Sequence, residues 1–220
     1  MGGVSGAADG HPSYLAIARH YERCLERHGD THLGVDWPNA DDADARYRVM
    51  LEVIQPFPPD RPLRLLDFGC GASHLYEHII RRGISGIEYV GLDISDRFVE
   101  LSRRKFPANR YWCRDVLTVA DEELPRADYA VMNGVFTEKV SLSYEEMSEF
   151  LRATVMRVFG LVDRGIAFNV MSKHVDWERD DLFHVPFDEL AAMLVRDVTR
   201  DFVIRNDYRL YEYTVYAYHR

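Results

Sequence analysis

The chain has 220 residues, 47% of them apolar and 29% charged, with a formal charge of −9. That length supports one domain with a full core, and the acid excess argues against nucleic acid as a partner, because phosphate backbones are gripped by clustered Lys and Arg. Three scattered cysteines suggest neither a disulfide frame nor a metal knuckle, no run reaches membrane-span length, and Met1–Gly10 lacks the apolar core of a signal peptide, so a cytoplasmic protein is expected.

Residues 1–12 read as a disordered tail. Pro12-Ser13 then opens a helix that stops at Gly29, with Ser13 as its cap and Tyr14, Ile17, Tyr21 and Cys24 on one face. Tyr21 either packs in that face or touches a substrate pocket, and His20 beside it is solvated. Residues 29–39 are rich in turn formers yet carry His32 and Trp37, costly residues for an idle loop. A second helix runs from Asp41 or Asp42 to about Ile54 and aims Arg46, in line with Met50 and Val53, toward the apolar side. A charge so aimed needs a partner: Glu52 or Asp42 at the surface, or a carboxylate ligand.

The most informative stretch is Leu63 to Ser95. Leu63–Phe68 reads as a buried strand, Gly69-Cys70-Gly71 as a tight turn beside a ligand, and Ala72–Arg82 as a helix with Leu75, Ile79 and Ile80 inward. Tyr89–Asp93 is the next strand, and Asp93 at its carboxyl end suits the two hydroxyls of a ribose. Ser95 caps a helix with Phe98, Leu101 and Phe106; Tyr111-Trp112-Cys113 begins a third strand, followed by Arg114-Asp115-Val116-Leu117. By itself Asp115 is also a good turn acid. Asp128–Met132 is the fourth strand, and Asn133-Gly134-Val135-Phe136 falls at its carboxyl end, where open α/β sheets bind ligands.

A helix from Ser143 to Phe159 and a strand from Gly165 to Val170 follow. The charged connection 171–184 is long enough to serve as a substrate-side lid, with His174 or His184 as general base; a solvated loop is the alternative. The helix 187–195 leads to strands 202–205 and 210–218, a hairpin in which Tyr211 and Tyr213 share an aromatic face.

Asp67-Phe68-Gly69-Cys70-Gly71 followed by Val90-Gly91-Leu92-Asp93 resembles motif I and the acidic second-strand end of class I S-adenosylmethionine (SAM) dependent methyltransferases. The resemblance spans roughly Leu63 to Tyr218, and the closing hairpin adds to it. A dinucleotide fingerprint fits less well, since its third glycine would fall on His74. One departure is Ser73, where the family usually has its third glycine.

The resemblance implies an α/β fold: a seven-stranded, mostly parallel Rossmann-like sheet with a terminal antiparallel hairpin over 61–220, and a helical lid over 13–60. It implies SAM as cofactor, held by Asp67, Gly69, Gly71 and Asp93, with Asp115 on the adenine amino group, the Val116 amide on a ring nitrogen, and Ile94 and Leu117 on the adenine faces. Arg46 would take the methionine carboxylate. Asn133 would hold the methionine ammonium or the acceptor, and Tyr21 and His174 join it as catalytic candidates. Family members that methylate bases or exposed amides carry prolines after the Asn or Asp, absent here, so a small-molecule oxygen or nitrogen is the expected acceptor, without a metal. Alternatives are SAM cyclisation or aminocarboxypropyl transfer, both releasing methylthioadenosine, and a non-catalytic SAM-binding subunit. The assembly state is open, a homodimer included.

Overall fold

The computed structural model describes residues 12–54 and 61–220. The expected tail, except Pro12, and the 55–60 end of the expected lid lie outside the described residues. The strands are β1 (Leu63–Phe68), β2 (Ile87–Asp93), β3 (Arg110–Cys113), β4 (Ala127–Phe136), β5 (Val162–Ser172), β6 (His184–Val185), β7 (Phe202–Arg205) and β8 (Glu212–Tyr218). The helices are α1 (Leu15–His28), α2 (Ala40–Leu51), α3 (His74–Arg81), α4 (Asp96–Lys105), α5 (Tyr144–Phe159) and α6 (Phe187–Asp197). They join in one sheet of order β3-β2-β1-β4-β5-β8-β7, with β8 antiparallel to β5 and β7 and the other pairs parallel.

The central strands are apolar on both faces because both faces are covered. Leu66, Phe68, Ala130, Met132 and Phe168 pack against α1, α5 and α6 through Ile17, Leu151, Val155 and Leu190. On the other face, Leu65, Tyr89, Val131 and Ala167 meet Val49 and Met50 of α2, Leu75 and Ile79 of α3, and Val99 of α4. None of the described helices is long and apolar enough to cross a membrane.

Several local expectations are corrected. The eighth strand, β6, comes from the 171–184 connection and pairs with the far end of β5. Ser13 does not cap α1; Tyr14 stands at that position, and its side chain makes no capping bond. Asn39 caps α2 by accepting from the Asp41 N–H (3.0 Å). Ile80 is 53% exposed, since the two-turn α3 turns Leu75, His78 and Ile79 inward and leaves Ile80 on the outer side. Tyr211 precedes β8 and is exposed, whereas Tyr213 is fully buried, so they share no face.

Candidate active site

The strand order reverses between β1 and β4, which opens a crevice at their carboxyl ends, the usual ligand site of an open α/β sheet. The turn after β1 is made by Gly69 and Gly71 at φ +69° and +49°. A Cβ on Gly69 would lie 2.8 Å from Val135 Cγ2, so the turn and the end of β4 nearly touch. Ser73 is also left-handed, at φ +59°, which explains why glycine is usual there. Its fully buried hydroxyl is hydrogen-bonded to Ser102 Oγ (2.8 Å) and the Tyr111 hydroxyl (3.1 Å), while Ser102 Oγ donates to the Gly71 carbonyl (2.8 Å). The strain of the serine is offset by a network that ties the turn to α4 and β3.

Three carboxylates face this crevice and its adjoining recess. Asp93 accepts from the Gly71 N–H through one oxygen and the Ser95 N–H through the other, both at 2.9 Å, leaving a lone pair on each for a ligand hydroxyl. Burial pushes its carboxyl up, opposed by those amides. Asp67, in the recess, accepts from the Tyr89 hydroxyl (2.6 Å); burial lifts its carboxyl to about 7, with the Asp93 charge adding to the rise. Asp115 accepts from the Leu117 N–H (3.0 Å) as a turn acid and, through its other oxygen, from the Tyr14 hydroxyl of the segment entering α1 (2.7 Å).

The amino-terminal helix covers the crevice. Tyr14 stacks on Phe150 with centroids 4.9 Å apart, and the Tyr21 hydroxyl donates to the Gly134 carbonyl (3.2 Å). Burial and then the Glu138 charge raise the Tyr21 phenol, so it stays neutral and donates rather than acting as a base. Trp37, from the irregular 29–39 stretch, walls both crevice and recess. The Asn133 Oδ1 atom is buried without a partner and its residue lines both spaces, which makes it an acceptor awaiting a donor.

Thus the structure brings Gly69, Gly71, Asp93, Ile94, Asp115, Val116, Asn133 and Tyr21 to one crevice, and Asp67 to the recess beside it. Two expected residues are not there. Arg46 lines neither space: its guanidinium lies 3.9 Å from the Trp37 ring centroid and its Nε donates to Glu212 (2.7 Å), so the inward charge finds a partner in β8 rather than in Glu52 or Asp42. His174 is exposed, lines neither space and packs on Phe187 at the start of α6. His184 is buried with both nitrogens engaged, by the Ser172 carbonyl and the Arg179 N–H, which also removes it as a base. Sequence reasoning missed Tyr14 and Phe150 as crevice residues; Glu138 lines neither space, though its charge acts on Tyr21, and burial, then Asp36 and Asp181, lifts its carboxyl to about 7. It also treated His20 as solvated, whereas His20 Nε2 bonds Asp36 (2.6 Å), with Cys24 Sγ 3.7 Å away, a fastening of α1 to the loop before α2.

The reversal between β1 and β4, the glycine turn, the ribose-type acid after β2 and the inserted antiparallel β8 together define the class I methyltransferase architecture. A family model described as a methyltransferase domain matches residues 66–158, and that match, the fold and the named relatives support a SAM-dependent methyltransferase with SAM as cofactor. It is 28% identical over 158 residues to Rv1506c of Mycobacterium tuberculosis, which carries a methyltransferase name, covering 70% of this chain and 92% of that one. It is 31% identical over 94 residues to trans-aconitate 2-methyltransferase of Rhizobium rhizogenes, covering 42% of this chain and 35% of that one. In fold it is similar to the SAM-bound magnesium protoporphyrin IX methyltransferase of Synechocystis PCC 6803, with a TM-score of 0.62, 14% identity, and coverage of 98% and 100% of the two chains.

Proposed function

We propose that this enzyme methylates an oxygen or nitrogen atom of a small molecule. The observation that carries the reading is the cover: α1 and Trp37 close over the crevice and are fastened to its two rims, at Asp115 and at Gly134. A crevice roofed by its own chain admits a metabolite-sized acceptor more readily than a polymer. The relative named for trans-aconitate, a small carboxylic acid, supports the same reading.

The residues fit the donor. Asp93 would accept from the ribose hydroxyls, and Asp67 would hold the methionine ammonium, whose charge answers a buried carboxyl lifted to about 7. The partnerless Asn133 Oδ1 would take a second ammonium or acceptor proton. Ile94, Val116 and Leu117 would enclose the adenine at the Asp115 end. Bound SAM supplies a sulfonium-activated methyl group. What the chain adds is position and dryness: Trp37, Tyr21 and Phe150 exclude water, and the neutral Tyr21 phenol orients without removing a proton. A carboxylate acceptor would need no base, while an alcohol or ammonium would have to lose a proton.

The test is to incubate the purified protein with SAM, alone and with a small-metabolite extract, and to identify the adenosine product by mass spectrometry. S-adenosylhomocysteine formed only with extract, alongside a methylated small molecule, is the expected result. Methylthioadenosine formed from SAM alone, or a product methylated on carbon, would overturn the proposal.

A further inference from the structure

Gly134 is a junction. It sits where β4 and β5 lose register between Met132 and Phe136, in a left-handed conformation with φ +78°. A Cβ placed on it would lie 3.0 Å from the Trp37 ring, so the indole closes down on bare backbone. Its carbonyl accepts from Tyr21 and from Thr137 Oγ1 (3.0 Å). Its N–H donates to Asn169 Oδ1 (2.8 Å), a residue of β5 with no exposed surface. Asn169 Nδ2 donates in turn to Glu212 Oε1 (2.9 Å), and Glu212 Oε2 receives Arg46 Nε (2.7 Å). The Arg46 guanidinium lies over Trp37, which returns the path to Gly134.

We propose that Arg46, Glu212 and Asn169 are positioning residues that hold the Asn133–Gly134 turn in its cofactor-binding shape. This rests on the reading of the crevice as the SAM site. The turn cannot hold itself, because a glycine in the left-handed region has no side chain to anchor it and the β4–β5 ladder is broken at that point. A mainly structural role would be filled at lower cost by apolar side chains, since an ion pair taken out of water gains little over well-packed hydrophobes. Instead Glu212 is 1% exposed and burial pushes its carboxyl up, opposed by Arg46 and Asn169. Each member has a directional task. The Asn169 oxygen can only accept from Gly134, its nitrogen can only donate to Glu212, and the single bond from Arg46 Nε to Glu212 Oε2 leaves Oε1 for Asn169. The groups facing Glu212 are Arg46 and Asp42 from α2, Asn169 from β5 and Tyr208 from the turn before β8.

The test uses the full chain and S-adenosylhomocysteine as probe, with affinity measured by calorimetry and folded fraction by circular dichroism. Asn169→Leu removes the acceptor for Gly134 and should weaken binding at least tenfold per folded molecule. Asn169→Asp keeps the acceptor but puts a second acid against Glu212. The amide is mimicked only while the pair shares a proton, so affinity should fall as pH rises from about 5.5 to 7.5, opposite to the wild-type trend set by Asp67. In glycine-labelled protein the Gly134 amide resonance should move with pH in this variant alone. If Asn169→Leu fails to fold, the Asn169→Asp profile decides. Wild-type affinity and pH trend in the folded variants would overturn the relay. A wild-type protein that does not bind the probe would instead overturn the reading of the site.

Discussion

At Asp67, burial lifts the carboxyl to about 7, against the pull of the Tyr89 hydroxyl and with the Asp93 charge adding to the rise. To hold an ammonium it must first lose its proton. Affinity for S-adenosylhomocysteine should therefore fall toward tenfold per unit as pH drops below about 7, and Asp67→Asn should be weak and flat across the same range. Asp93→Ala should lower affinity by more than tenfold at every pH, measured by the same titration, because two hydroxyls lose a buried acceptor. At Ser73 the two small substitutions should part company: Ser73→Gly relieves the left-handed backbone, whereas Ser73→Ala keeps the strain and loses the Ser102 and Tyr111 bonds, so its melting temperature should be the lower. Asp93 and the glycines were legible because acid and turn are local signals at a fixed distance from one strand. The partner of Arg46 was not, since Glu212 is 166 positions away and only the sheet order brings it near.

Elements were legible in proportion to their length and punctuation. α5 carries a capping box, Ser143 accepting from the Glu146 N–H while Glu146 accepts from the Ser143 N–H, and its start was readable to the residue. Ser143→Ala should cost about 1 kcal/mol, read as a lower denaturant midpoint at unchanged slope. β6, two residues long, has no periodicity to read. α1 was legible as a helix but not in its attachments, which include single polar contacts: Tyr14 to Asp115, Tyr21 to Gly134, His20 to Asp36 and Ser95 to Glu22. Tyr14→Phe keeps the stacking on Phe150 and removes one of these. Amide exchange in residues 15–28 should accelerate while that in α5 stays unchanged, and equal rates in α1 would show that the phenol does not fasten it.

For the molecule as a whole, Asp67 and Glu138 shift the same way. Their folded carboxyls titrate near 7 and their unfolded ones near 4, so their contribution to stability is full at acid pH and is lost as pH rises through 7. Buried His78, pushed below its usual value, acts in the opposite sense but is neutral in both states above about 7. Asp44 and Asp128, held low mainly by Arg82 and Arg61 against burial, are ionised throughout this range. The ligand-free protein should melt at a lower temperature at pH 8.5 than at pH 6.5, and Asp67→Asn should shrink the difference.

The order of the sheet also sets an order in time. β8 lies between β5 and β7, so until it is made β5 has neighbours on one side only over most of its length. A nascent chain that has reached residue 205 already holds the glycine turn, Asp93, Asp115 and α1, yet presents β5 as an open edge to the ribosome's surroundings, and Asn169 has no Glu212 to meet. The crevice can be outlined during synthesis, but its floor is set only when the strand that carries Glu212 slides into the gap.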